Sequence, residues 1–181
     1  MVNLAKGMKI IAWVSVLLTI VTLVIYRFKP SEAFFATTIT FGTVSYHFLM
    51  RLLVGSLFDL LMNNKVDYSK KWFRVGKTEQ TLYRILRVKK WKKYFPTYDS
   101  KAFDKKQRSW GEIAQAMCQA ELVHETIVIL SFAPIVFSLW FGATLVFVLT
   151  SIFSALFDLI FVMIQRYNRP RVLKMLSLIK E

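Results

Sequence analysis

Charged and uncharged positions divide the chain into blocks before any motif is considered. Four stretches, at about residues 10–26, 33–61, 113–139 and 141–164, are dominated by Leu, Ile, Val, Phe and Ala, whereas residues 63–112 are polar and rich in Lys and Arg. A helix needs roughly 20 apolar residues to cross a bilayer at 1.5 Å per residue. Three of the stretches exceed that length, and the first, with 17 residues, stands near the lower limit. Lys6 and Lys9 give the first stretch the basic flank of a signal peptide, but Arg27-Phe28-Lys29-Pro30 lacks the small-residue cleavage pattern, so it is read as a span. The pattern predicts an all-α, four-span transmembrane helix bundle forming one integral membrane domain over residues 1–181, with a connecting loop at 63–112 and a tail at 165–181. The remaining connections are short, one at 27–32 and a tight hairpin near Trp140-Phe141-Gly142.

The connecting loop has its own organisation. Residues 78–93 place Leu82, Ile85, Leu86 and Trp91 among basic side chains, a pattern suited to an amphipathic helix lying on a membrane surface and closed by Pro96. A turn is expected over residues 96–100. Ser109 and Glu112 have the spacing of a capping box at the start of the third span.

Composition sharpens this picture. The chain is 55% hydrophobic and carries 16 Phe among its 181 residues, more apolar than a soluble domain of this size, which places it in the cell membrane as a multi-pass protein. Residues 63–112 hold 15 Lys and Arg against 5 Asp and Glu, and residues 165–181 hold 5 against 1. Those two excesses account for the whole net charge of +14. By the positive-inside bias both segments face the cytoplasm, and an even number of spans puts the amino terminus there too. The basic loop suits anionic headgroups or an acidic or phosphate-bearing partner. Nucleic acid is not expected, because the charge lies beside the membrane and no nucleic-acid module accompanies it.

Polar groups inside the spans are costly and mark candidate sites. Glu121 and His124 lie one turn apart on the third span, about 12 Å and 16 Å along its axis if the helix enters the membrane near Ile113. Asp158 lies about 12 Å before Arg166 on the fourth. On the second span His47 and Arg51 are one turn apart, with Asp59 two turns further on. These groups suggest a polar pocket open to the cytoplasmic leaflet. Each also has a plain structural reading: Arg51 as the ion-pair partner of Glu121 or Asp158, and His47 as a buried histidine bonded to a neighbouring helix. Glu125 points about 100° away from His124 and ranks below Glu121. Cys118, the single cysteine, reads as a packing residue, and with only two histidines the chain lacks the histidine-rich boxes of a di-iron membrane enzyme. No metal and no cofactor are assigned.

The fourth span ends in QRYNRPR at 165–171, three arginines with Gln165, Tyr167, Asn168 and a proline. A helix stop at Pro170 with snorkelling arginines explains part of this composition and not its arrangement. Together with AELVH at 120–124 and VKKWK at 88–92 followed by Pro96, it resembles the glycosyl-4,4'-diaponeurosporenoate acyltransferase family, in that family's order and over roughly residues 67–176. Ala116 stands where family members can carry a further Glu, and His47 has no counterpart in the pattern. The resemblance implies transfer of a fatty acyl chain to a sugar hydroxyl of a glycolipid, in the family's own case a glucosylated carotenoid acid.

On this reading His124 is the general base and Glu121 orients it, while Arg166 or Arg169 holds the donor phosphate or stabilises the oxyanion. Gln165, Tyr167, Asn168 and Arg171 join the substrate site from the same segment. Lys89, Lys90 and Trp91 anchor the loop at the headgroups, and Arg51, His47 and Asp158 complete the polar layer. The partners are the membrane, a lipid or glycolipid acceptor and an acyl donor, which the residues leave open among acyl-CoA, acyl carrier protein and phospholipid. A homodimer is compatible with the sequence. No HxxxxD signature exists, since Ile129 follows His124 by five and Leu52 follows His47 by five. The alternative is a non-catalytic lipid-binding or assembly subunit whose arginines hold anionic headgroups. A transporter fits less well, because the first span offers only Ser15, Thr19 and Thr22 to a polar path.

Overall fold

A computed structural model describes residues 4–95 and 101–180, with the backbone alone for Leu4, Lys101 and Lys180. The expected turn at 96–100, including Pro96, lies outside the described residues. Among those described the chain is all-α, without strands: α1 (Leu4–Phe28), α2 (Glu32–Met62), α3 (Lys77–Ile85), α4 (Val88–Trp91), α5 (Trp110–Leu130), α6 (Ser138–Phe141) and α7 (Thr144–Lys180), with short 3-10 turns between them. Four helical segments are long and apolar enough to cross a membrane: Ala5–Phe28, Glu32–Met62, Trp110–Phe141 and Thr144–Ile179. Their number agrees with the sequence pattern.

The third segment contains the expected stretch 113–139, and the structure differs from a simple helical reading in two details. The third apolar run is no continuous α-helix to residue 139, because α5 stops at Leu130 and the chain continues through a 3-10 turn, Ala133–Phe137, into α6. Pro134 is the physical cause, since its ring clashes with the carbonyl four residues back and it supplies no N–H. That carbonyl belongs to Leu130, and the Tyr46 hydroxyl donates to it at 2.9 Å. The fourth run does not leave its helix at residue 164, nor does Pro170 stop it: α7 runs to Lys180 with the proline inside. The tight connection from α6 to α7 is as expected, with Gly142 at φ 63° in a conformation that only glycine adopts readily.

The chain divides into two units. The first comprises Met1–Gly55 and Thr126–Asp158. There α1 meets α2 through small residues: Ala12, Ser15, Thr22, Thr43 and Ser45 are buried, Thr19 and Ser45 share a hydroxyl contact at 3.3 Å, and a Cβ on Gly42 would touch Thr19 at 3.7 Å. Small side chains let helix backbones approach in a lipid setting, where the packed contact itself must hold the pair. Arg51 resolves the alternatives left open for it by pairing with Asp158, at 2.9 Å from Nε and 2.5 Å from Nη2. It also donates to the Ser154 hydroxyl at 2.8 Å and to the His47 carbonyl at 3.0 Å. His47 is buried, and neither ring nitrogen has a hydrogen-bond partner among the described residues, contrary to the expected bond to a neighbouring helix.

The second unit comprises Ser56–Glu125 and Leu159–Glu181. The expected single amphipathic helix at 78–93 is broken, because Arg87 takes a left-handed conformation at φ 53° and separates α3 from α4. Tyr83 and Val88 are the buried side chains of this segment, whereas Leu82, Ile85 and Leu86 are exposed. The capping box forms as expected: the Ser109 N–H donates to Glu112 at 2.8 Å, and the Glu112 N–H donates to the Ser109 hydroxyl at 3.3 Å.

Candidate functional site

Burial of a carboxylate away from water requires paired donors, and the turns of α5 that precede Glu121 on its face are apolar. Ala114, Met117 and Cys118 precede Glu121 on that face and are all buried, and Cys118 packs with Val66 and Phe73. Glu121 itself is 0% exposed, and so is Arg169. On α7, Arg166 and Arg169 stand one turn apart, and each takes one oxygen of Glu121. Arg166 Nη1 donates to Oε1 at 2.6 Å, while Arg169 Nη1 donates to Oε2.

The same two arginines hold the loop. Arg166 meets Glu79 of α3 in a two-pronged pair, at 2.5 Å from Nε and 2.9 Å from Nη2, and donates to the carbonyls of Trp72 at 3.1 Å and Arg74 at 3.3 Å. Arg169 donates to the Phe73 carbonyl from Nε at 3.1 Å and again from Nη2, and its guanidinium lies 5.1 Å from the centre of the Phe73 ring. Two guanidiniums thus face two carboxylates, and the cluster is neutral. All five N–H groups of Arg166 have partners. A ligand phosphate at Arg166 would have to displace one of these carboxylate or carbonyl partners, which bears on the expectation that this residue receives the donor. These contacts also explain how α7 persists through Pro170: the side chains on the preceding turn tie the helix to the loop, and tertiary contacts override propensity.

Glu79 had no role in the sequence reading, although it is the lone acid in the basic run 78–93 and could have been noticed for that reason. Burial pushes its carboxyl up, but the hydrogen bonds from Arg166 and Tyr83 outweigh burial and hold it below the ordinary value of 4.5. Burial and the bond to Glu79 together raise the Tyr83 hydroxyl above the usual tyrosine range. A carboxyl with a depressed folded value stabilises fully above its unfolded value, and that stabilisation is lost as the pH falls through the folded one. The thermal midpoint of the detergent-solubilised protein is therefore expected to drop as the pH falls below about 4.5, with a smaller drop in Glu79→Gln. Parallel curves for the two proteins would exclude this linkage.

His124 lies one turn beyond Glu121 on α5, half-buried, with its ring stacked on Phe161 of α7 at 4.8 Å between centroids and 13° between planes. Phe95 meets Phe161 edge-on at 6.0 Å, and Trp91 meets Phe95 edge-on at 5.5 Å. A line of rings thus connects the VKKWK segment to His124. Lys89 and Lys90 are exposed, and the Trp91 indole donates to the Leu86 carbonyl at 2.9 Å. Glu125, ranked low from sequence, accepts from the Trp72 indole at 2.9 Å.

Lys92 was missed among the site residues, although it closes the VKKWK motif. It donates to the Asn168 side-chain carbonyl and sits 4.9 Å from the centre of the Tyr167 ring, while Arg171 donates to the Tyr167 hydroxyl at 2.7 Å and lies 4.5 Å from the same ring. Burial, with Arg171 and Lys89 nearby, pulls the Lys92 ammonium below its ordinary value. Beside these residues is a cavity of about 420 Å³, to which Gln165, Asn168 and Arg171 also contribute.

The unit therefore gathers Glu121, His124 and the whole of the 165–171 segment, while His47, Arg51 and Asp158 belong to the first unit. No curated protein and no solved structure matches the chain. The sequence model of one family, described as glycosyl-4,4'-diaponeurosporenoate acyltransferase, matches residues 67–178, well over half of the chain and nearly the stretch its motifs mark out. With AELVH, QRYNRPR and the loop they hold inside that match, the chain belongs to the glycosyl-4,4'-diaponeurosporenoate acyltransferase family.

Proposed function

We propose that this protein is an integral membrane acyltransferase that moves a fatty acyl chain from an activated donor to a sugar hydroxyl of a glycolipid. The family name makes a glycosylated carotenoid acid the first acceptor to test. The observation that carries this reading is that the family match, residues 67–178, contains both His124 and every residue of the Glu121–Arg166–Arg169–Glu79 cluster. The basic bias of residues 63–112 and 165–181 supports a cytoplasmic site in the cell membrane. The exposed Leu82, Ile85 and Leu86 suit a loop lying on the bilayer surface.

In the proposed reaction His124 takes the proton of the acceptor hydroxyl as its oxygen attacks the acyl carbonyl. The new C–O ester bond forms, the carbonyl bond to the donor's sulfur or oxygen breaks, and His124 returns the proton to that leaving group. Stacking on Phe161 engages the face of the imidazole, whereas proton transfer uses its edge. Glu121, Arg166 and Arg169 act as positioning residues, fixing α5, α7 and residues 72–79 so that the His124 ring meets the acceptor in one geometry.

Lipid mass spectrometry of cells supplying glycosylated carotenoid acids and other glycolipids, with and without this chain, tests the reaction class. A glycolipid heavier by one fatty acyl group is expected only with the chain. Absence of any acylated species, with the protein inserted in the membrane, would favour the lipid-binding alternative.

A further inference from the structure

The cavity beside Tyr167 has a composition that the acyl-transfer chemistry has not yet used. Its α5 wall is formed by Trp110, Ile113 and Met117, spaced at three and four residues and thus on one helix face. Its α7 wall combines Ile164 and Val172 with Gln165, Asn168 and Arg171, again one face of a helix. The connecting segments add Phe103 and two more cations, Lys92 and Lys105. One cavity therefore has apolar walls, two side-chain amides and three cations, and no carboxylate among the described residues that line it.

Like charges gathered around a partly buried space repel one another, and an anion among them relieves that repulsion. The lowered Lys92 ammonium agrees with such a place. Arg166 and Arg169 are neutralised by Glu79 and Glu121, so the positive charge at this site is carried by Lys92, Lys105 and Arg171. A volume of about 420 Å³ is within the range of small-molecule pockets, and too small for a whole long-chain lipid. It suits a headgroup with the start of its chain.

We propose that this cavity binds the phosphate of the acyl donor, with Lys105 and Arg171 as direct ligands, Lys92 and Asn168 framing them, and the apolar walls of α5 and α7 receiving the adjoining carbon chain. Assignment of the phosphate to the donor rests on the acyl transfer proposed above; the selectivity for a phosphate amphiphile can be measured without it. Arg171 is held by Tyr167 through its hydroxyl and its ring, which sets the guanidinium in a defined direction. Lys105 lies 5.0 Å from the centre of the Trp110 ring and is exposed, so a ligand reaches it without prior rearrangement.

The test is equilibrium binding to the full-length protein in detergent, using two pairs of probes: palmitoyl-CoA against S-palmitoyl-pantetheine, and dipalmitoyl phosphatidylglycerol against dipalmitoylglycerol. The phosphate-bearing member of at least one pair is expected to bind about ten-fold or more tightly than its uncharged counterpart, since charge-assisted hydrogen bonds are lost in the latter. Lys105→Glu and Arg171→Gln are each expected to remove most of that difference. Both positions are exposed, so the variants should fold, and melting curves verify it. The pair that shows the difference identifies the source of the phosphate. Equal binding within both pairs, or a preference that survives both substitutions, overturns the proposal. Binding selectivity without acyl transfer would instead leave the cavity assigned and the catalytic reading refuted.

Discussion

Glu121→Leu is expected to destabilise the protein by about 3–5 kcal/mol, because removing one partner of a buried pair leaves the other charge without compensation. The magnitude follows from who depends on whom. Arg169 is 0% exposed, and its guanidinium donates to the Glu121 carboxylate and to the Phe73 carbonyl. Arg166 retains Glu79 when Glu121 is lost. Arg169→Met should cost less than Glu121→Leu, since Glu121 keeps Arg166. The double substitution should be more stable than Glu121→Leu alone, as replacing a whole buried pair by apolar side chains is often neutral. Thermal unfolding and size-exclusion profiles of the four detergent-solubilised proteins measure this. A Glu121→Leu protein as stable as wild type, or a double variant whose losses simply add, would mean that Glu121 and Arg169 are not energetically coupled.

His124→Gln is expected to behave in the opposite way, keeping the fold and losing about 10²–10⁴ in the rate of acyl transfer, the range that a positioned base contributes. Loss of the stack on Phe161 contributes about 0.5–1.5 kcal/mol to its structural cost, as for an aromatic pair. A base acts in the transition state, so kcat should fall while the KM for the acceptor stays near that of wild type. Phe161→Leu separates orientation from chemistry: it keeps the imidazole and loses its platform, so the rate should fall by less. A folded His124→Gln protein that turns over like wild type would remove this residue from the reaction. One that fails to fold would give His124 the structural role that the lipid-binding alternative requires.

These two expectations, one on stability and one on rate, separate residues that the sequence presents as a single pair. Glu121 and His124 are three apart on one helix, and spacing places them on the same side of it. Spacing carries no information about which other helices approach that side. The structure gives Glu121 to two arginines 45 and 48 residues away and gives His124 the ring of Phe161.

By itself the sequence determined what depends on neighbours along the chain. Four apolar stretches are legible because the length needed to cross a bilayer is a local count, and the Ser109–Glu112 capping box because its bonds close within one turn. The motifs at 88–92, 120–124 and 165–171 carried the family for the same reason. Tertiary structure decided what depends on partners. It let α7 continue through Pro170, chose Asp158 for Arg51, divided the 78–93 helix at Arg87, and drew Glu79 into the buried cluster. Charges buried within a bundle are stable only where opposite charges and carbonyls converge from distant segments, and that convergence is a property of the packed chain.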